Sequence, residues 1–282
     1  MQRDNQQKTF SFELFPPKTE RGQENLQKAV GELRAKQPAF FSVTYGAGGS
    51  TRQRTFDTVE WLIEEQITTA PHLSCIGASR DEILEILAHY KAIGIRRLVA
   101  LRGDLPSGTG MGELSDLGHA NQLVELIQER YPQQFHIEVA AYPEFHPQAS
   151  SAQQDLNYFK LKVAAGADSA ITQYFYNADA YFRFLDSCQQ LQIDIPIVPG
   201  IMPITNFTQL ARFSDACGAE IPRWLRKRLE GFGEDLEAIR SYGAEIVIRL
   251  CERLLEGGAP GLHFYTMNQA KPTLDIWHAL SL

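Results

Sequence analysis

Arg97-Leu98-Val99-Ala100-Leu101-Arg102-Gly103-Asp104 decides how this chain folds. Four consecutive apolar residues without polar alternation are the mark of a strand covered on both faces, as the strands of a parallel sheet are. The run then breaks sharply on a cation, a glycine and a carboxylate. Working outward in both directions, the same form recurs at residues 10–15, 40–45, 71–76, 137–142, 170–175, 195–201 and 262–266, so that with 97–101 there are eight candidate strands. Nearly all of them close on a polar, Gly or Pro residue.

Helical signals fill the intervals. Leu26, Val30 and Leu33 share one helical face, as do Phe56, Val59 and Ile63, and as do Leu156, Phe159 and Val163. Ser79-x-x-Glu82 and Ser151-x-x-Gln154 have capping-box spacing, and Gly94 and Gly166 stand where helices stop. A βα order repeated through the chain, with no GxGxxG after an early strand, favours an α/β fold of one (β/α)8 TIM barrel over a doubly wound sheet. Residues 1–282 then form a single domain. Two connections are long, 105–134 and 206–260. The first holds Pro106-Ser107-Gly108-Thr109-Gly110, placed where a barrel carries a binding lid. The second supplies extra helices before the last strand and includes Arg223-Trp224-Leu225-Arg226-Lys227-Arg228, which reads as a solvated helix face.

The 282 residues are 44% hydrophobic, enough for a substantial core, and the net charge of -7 is interspersed rather than blocked. That argues against nucleic acid or an anionic membrane as partner. Cys75, Cys188, Cys217 and Cys251 are scattered without metal-ligand spacing and read as reduced core residues. No metal site is expected, and no G-x-S-x-G elbow exists. The polar N-terminus and the absence of long apolar stretches point to a soluble cytoplasmic protein.

In such a barrel the loops after the strand C-termini meet at one end, so distant residues share a pocket. Glu13, within Phe10-Ser11-Phe12-Glu13-Leu14-Phe15-Pro16-Pro17, is a carboxyl among apolar neighbours, where desolvation favours the protonated form. It reads either as a general acid or as a structural partner of a cation. Arg102 can hold phosphate, Gly103 permits close backbone approach, and Asp104 can accept ring N–H groups or simply cap a turn. Thr44-Tyr45-Gly46-Ala47-Gly48-Gly49-Ser50 has the form of a ligand-cradling loop or of an ordinary glycine turn. His72 lies in an apolar strand, where a core histidine is the default. Tyr142-Pro143-Glu144-Phe145-His146-Pro147 is stiffened by two prolines. Gln173 is a neutral amide in a buried run and needs partners.

Taken in order, Phe12-Glu13-Leu14-Phe15-Pro16-Pro17, Val43-Thr44-Tyr45-Gly46-Ala47, Pro71-His72-Leu73-Ser74-Cys75, Ala100-Leu101-Arg102-Gly103-Asp104, Ala140-Ala141-Tyr142-Pro143-Glu144, Ile171-Thr172-Gln173 and His263-Phe264-Tyr265-Thr266 resemble the methylenetetrahydrofolate reductase family. The resemblance spans about residues 10–270. It implies a flavin barrel in which NAD(P)H reduces FAD and leaves, and 5,10-methylenetetrahydrofolate then takes the hydride in ping-pong fashion to become 5-methyltetrahydrofolate. It implies Glu13 as the acid that helps open the folate ring, and Asp104 as the carboxylate beside flavin and pterin. For FAD it implies Tyr45, Ala47, His72, Arg102, Gly103, Asp104, Ala120, Tyr142, His146, Ala149, Asp155 and Lys162. For substrate it implies Thr44 and Gln173 toward nicotinamide, Gln173 and Gln209 toward folate, and Phe213 as a stacking aromatic. Gln269 stands where relatives place a substrate-contacting Arg, and Tyr158 and Leu161 stand where they place polar or basic contacts to FAD. Family members are commonly oligomeric, so a homo-oligomer is expected. The chain stops soon after the eighth strand, so no regulation by a C-terminal S-adenosylmethionine domain is expected. Two other readings remain: a flavin barrel resembling proline dehydrogenase, and a folate- or flavin-binding barrel without turnover.

Overall fold

Strand Arg97–Leu101 is central to the sheet, and its neighbours on both sides are parallel to it. The computed structural model describes residues 8–45, 49–103 and 116–282. Along them run β1 (Thr9–Leu14), α1 (Glu20–Arg34), β2 (Phe40–Val43), α2 (Gly49–Glu64), β3 (Thr69–Ser74), α3 (Arg80–Ala92), β4 (Arg97–Leu101), α4 (Ala120–Arg130) and β5 (His136–Ala141). There follow α5 (Ala152–Ala164), β6 (Ser169–Thr172), α6 (Ala178–Gln190), β7 (Ile197–Val198), β8 (Gly200–Ile201), α7 (Phe207–Cys217), α8 (Arg223–Gly231), α9 (Leu236–Glu256), β9 (Gly261–Tyr265) and α10 (Ala270–Ala279).

The sheet order is β7-β6-β5-β4-β3-β2-β1-β9-β8, parallel throughout. Since β7 and β8 are consecutive pieces of one stretch, the sheet closes on itself as an eight-stave TIM barrel. The seventh stave, which the sequence suggests as one strand over 195–201, is broken at Pro199. Proline has no N–H for a ladder bond, though the Pro199 carbonyl still accepts from His263 N at 3.0 Å. Gly200 is required at the seam, because a Cβ there would lie 2.2 Å from the Thr172 carbonyl oxygen. The remaining seven strands lie where the sequence puts them, with ends shifted by three residues at most and not at all for 97–101.

Alternation along each strand builds two layers. Phe12, Leu14, Phe41, Val43, Leu73, Leu98, Ile137 and Val139 join the large core between sheet and helices. Phe40, Ala70, Val99 and Ile171 form a second, small cluster with Leu101 inside the ring. The expected helical faces are those that pack: Leu26, Val30 and Leu33 are buried on α1, and Phe159 on α5.

Ser79 and Glu82 form the full capping box of α3. At α5 only half the expected box exists. Ser151 accepts from Gln154 N, but the Gln154 carbonyl turns to the N–H and hydroxyl of Ser150. Gly94 and Gly166 end their helices in left-handed conformations, φ 87° and 108°.

The connection 206–260 carries α7, α8 and α9. On α8, Leu225 and Leu229 face inward while Lys227 pairs with Glu230 and Arg228 lies over Phe232 and Tyr242, so the basic run is a solvated face. The lid segment 106–110 lies outside the described residues. All four cysteines are free thiols, and Cys75, Cys188 and Cys251 are buried. Among the described residues there is no His, Cys, Asp or Glu cluster able to hold a metal, and no helix is long and apolar enough to cross a membrane.

Candidate active site

Glu13 is the next-to-last residue of β1 and lies in register between Ser42 of β2 and Tyr265 of β9. Its apolar sequence neighbours do not surround it. Phe12 and Leu14 face the helices, as successive strand residues must, and the carboxyl projects into the ring. There its Oε2 lies 3.4 Å from His72 Nε2 and 3.8 Å from His263 Nε2. His263 in turn hydrogen-bonds Ser11 through Nδ1 at 2.7 Å, Ser11 being two residues before Glu13 and so on the same face. Phe40 stacks on the His263 ring from below, and Tyr265 meets it edge-on.

Both imidazoles are buried, and burial pushes His72 below the usual histidine range; the Glu13 carboxylate opposes that effect and His263 adds to it. His72 is therefore neutral at physiological pH. Three buried polar atoms here have no hydrogen-bond partner among the described residues: Ser42 Oγ, His72 Nε2 and His263 Nε2. Such groups are rare in a packed interior and mark a place where the fold has not spent its hydrogen bonds on itself.

The ends of the neighbouring staves complete the rim. Thr44 follows β2 and donates its N–H to the Leu14 carbonyl at 2.9 Å, and burial raises the Tyr45 phenol next to it. After β4, Gly103 takes φ 90°, and a Cβ there would lie 1.8 Å from Ser74 Oγ, so only glycine fits. Ser74 Oγ donates to the Arg102 carbonyl at 2.8 Å, and the Arg102 guanidinium reaches Gln148. After β5, the Tyr142 ring meets His146 edge-on, and the His146 N–H donates to Asp155 at 3.0 Å. Lys162 is a half-buried cation whose Nζ donates to the Ala140 carbonyl; burial lowers it to about 8, with Asp155 opposing.

Gln173, after β6, lines one cavity with Tyr142, Glu144 and Tyr174 and with the end of α7. On α7, Gln209 and Phe213 are four apart and share an exposed face, while Leu210 and Ser214 are buried.

Most of the residues suggested by the sequence thus gather at the C-terminal end of the barrel. Ala120 opens α4, Ala149 lies in the turn before α5, and Gln269 precedes α10 with its side chain exposed. Tyr158 stacks on His119, and Leu161 is exposed. Asp104 and Ala47 lie outside the described residues. Sequence reasoning assigned no role to Ser11, Ser42 or His263. The period-two spacing from Glu13 was the available signal for Ser11, whereas His263 is 252 residues from its partner.

Known proteins resemble this chain along nearly its whole length. A family model described as methylenetetrahydrofolate reductase matches residues 1–281. A 5,10-methylenetetrahydrofolate reductase of Salmonella typhimurium is 43% identical over 273 residues, covering 96% of this chain and 90% of that protein. Methylenetetrahydrofolate reductase (NADH) 1 of Arabidopsis thaliana is 38% identical over 98% of this chain and 49% of its own length. Among solved structures, a protein of Clostridium thermocellum described as binding two copies of 5-methyl-5,6,7,8-tetrahydrofolic acid superposes with a TM-score of 0.70 at 18% identity, over 98% of this chain and 95% of that one. At that identity the likeness speaks for the fold.

Proposed function

This chain belongs to the methylenetetrahydrofolate reductase family, and from that premise we propose that it reduces 5,10-methylenetetrahydrofolate to 5-methyltetrahydrofolate, with FAD as bound carrier and a reduced nicotinamide as electron source. The observation that carries this reading is the carboxyl of Glu13 inside the barrel mouth, flanked by two buried imidazoles with unspent hydrogen bonds. Reduced nicotinamide as donor is further supported by the name of the Arabidopsis relative.

The residues fit a flavin dinucleotide. Gly103, packed against the Ser74 hydroxyl at a left-handed φ, fixes the turn of the backbone at the rim where a planar ring would lie. Arg102 and Lys162 place two cations on the same side of a chain that is acidic overall, as a pyrophosphate requires. His72 stands at the mouth beside Glu13, its buried Nε2 3.4 Å from the carboxyl and not committed to a hydrogen bond. When bound, FAD supplies a two-electron carrier able to take hydride from nicotinamide and give it to folate. Tyr45, His72, Arg102, Gly103, Tyr142, His146, Asp155 and Lys162 would hold it, with Ala120 and Ala149 lining its path.

The remaining work falls to the chain itself. Glu13 delivers a proton to the departing ring nitrogen of the folate, opening the five-membered ring to an iminium whose carbon accepts hydride. Ser11 fixes the His263 ring, which in turn steadies the carboxyl. Gln173 orients each substrate in turn through its amide, Thr44 contacts nicotinamide, and Gln209 and Phe213 hold the folate. Asp104 is the carboxylate that stabilises the cationic iminium.

Purified protein tests this directly. A yellow preparation that reduced nicotinamide bleaches and methylenetetrahydrofolate recolours is the expected result. Bleaching without recolouring would move the substrate to another imine, and colour untouched by nicotinamide would leave a binding barrel without turnover.

A further inference from the structure

The proposed reaction leaves one acidic group of the mouth unused. Glu144, in the proline-bracketed segment after β5, accepts a hydrogen bond at Oε2 from the backbone N–H of Glu220 at 2.7 Å. Glu220 lies in the connection between α7 and α8, just beyond the helix that bears Gln209 and Phe213. Two other contacts meet there. Tyr174 OH and Ser214 Oγ are 3.0 Å apart, and Gly218 passes so close to Pro147 that a Cβ would lie 3.0 Å from its ring. Of these fastenings only the one from Glu144 carries a charge that can be removed. Phe145, next in the chain, adopts φ 126°, a conformation that costs free energy and persists only where tertiary contacts dictate it.

We propose that Glu144 is a positioning residue for folate: by holding the Glu220 amide it seats the end of α7 against the Gln173 side of the cavity, and its ionised form gives the tight-binding arrangement. This rests on the reading of Gln209 and Phe213 as folate contacts. A carboxylate holds an N–H more strongly than a neutral carboxyl does. Burial raises the Glu144 carboxyl to about 7; the bond from the Glu220 amide opposes this and the Glu220 carboxylate adds to it. The other groups facing it are Tyr174 after β6 and Cys217 at the end of α7, with Asp155 of α5 and Arg183 of α6 across the adjoining cleft. With the ionised form becoming the major one as pH rises through about 7, folate binding tightens across neutrality and loosens below it.

The full chain is compared with Glu144→Ala, Glu144→Gln and Glu220→Gln. For Glu144→Ala, amide exchange over residues 214–221 accelerates and KM for methylenetetrahydrofolate rises about tenfold, the low end of what a hydrogen bond to a charged group is worth, while KM for reduced nicotinamide stays near wild type. Glu144→Gln retains an acceptor but no charge, so its folate KM is intermediate and flat across neutrality. Glu220→Gln keeps the amide and removes the like charge, which moves the pH midpoint downward. Unchanged exchange in both Glu144 variants, or an unchanged folate KM, overturns the proposal. The exchange measurement needs no substrate, so it fails only if the contact is unimportant; a wild-type protein that does not turn over folate would instead sink the functional reading, and the folate part of this proposal with it.

Discussion

The interior of this barrel holds two buried polar clusters, one at each end, finished to different degrees. At the N-terminal end the Glu138 carboxylate is paired with Arg97 and accepts from Ser169 at 2.6 Å, with His136 Nε2 3.4 Å away and hydrogen-bonded to the same serine. Arg97 in turn lies over the Phe40 ring. Despite complete burial, these partners hold Glu138 below the ordinary glutamate range. Near the C-terminal end, Glu13 touches two imidazoles at 3.4 and 3.8 Å, and neither Nε2 completes a hydrogen bond. The chemistry of the side chains is similar; the satisfaction of their hydrogen bonds is not. A fully paired cluster serves the fold, and an underbonded one held in place by its neighbours is suited to a reaction.

The comparison breaks if the two carboxylates respond alike to removal. Glu13→Gln should lower folate reduction by about 10²–10⁴-fold while flavin reduction by nicotinamide stays close to wild type, as read in stopped-flow half-reactions. Equal losses in both halves would remove Glu13 from the acid role. Glu138→Ala should do the reverse, costing about 1–3 kcal/mol of stability by taking the acceptor from buried Ser169 and the charge partner from half-buried Arg97, with activity per folded molecule kept. Urea unfolding checks it. Because the folded-state value of Glu138 is depressed, its contribution is present in full above about pH 4.3 and is lost as pH falls further, so Glu138→Gln should flatten the acid-unfolding limb.

Smaller changes sharpen the contrast. Gly103→Ala should destabilise by roughly 1–3 kcal/mol, since its φ and the Ser74 hydroxyl both oppose a side chain, and it should weaken retention of yellow colour on dialysis. Ser11→Ala frees the His263 ring and should slow folate reduction roughly fivefold, the worth of one neutral hydrogen bond, with little change in melting temperature. A drop in stability larger than the drop in rate would place Ser11 with the lower cluster.

The fold was largely legible because a stave buried on both faces must be written as an apolar run, as 97–101 and 137–142 are. The break at Pro199 carried its own signal, a residue without an N–H inside a strand. Gln154 eluded the capping rule because Ser150, one residue before the cap, competes for the same carbonyl. Glu13 was found for a reason the structure revises. Phe12 and Leu14 made its surroundings look apolar, yet adjacent strand residues face opposite layers, and its true neighbours come from β3 and β9. No local pattern announces contacts to His72 and His263, since barrel closure alone brings the first and last staves together. Glu144 was visible in its proline frame, but its partner at Glu220 was not.

Pro199 leaves a mark on the mechanics of the whole ring. Seven staves are continuous, but the hoop is fastened by a slat cut into two-residue halves, one riveted to β6 and the other to β9. Each half has few rivets, so the circumference is easiest to prise apart at that joint. Immediately downstream comes the helix bearing Gln209 and Phe213, and on the other side, one stave beyond β9, stands Glu13. Strain at the joint therefore reaches the grip on the substrate through the chain and the acid through β9.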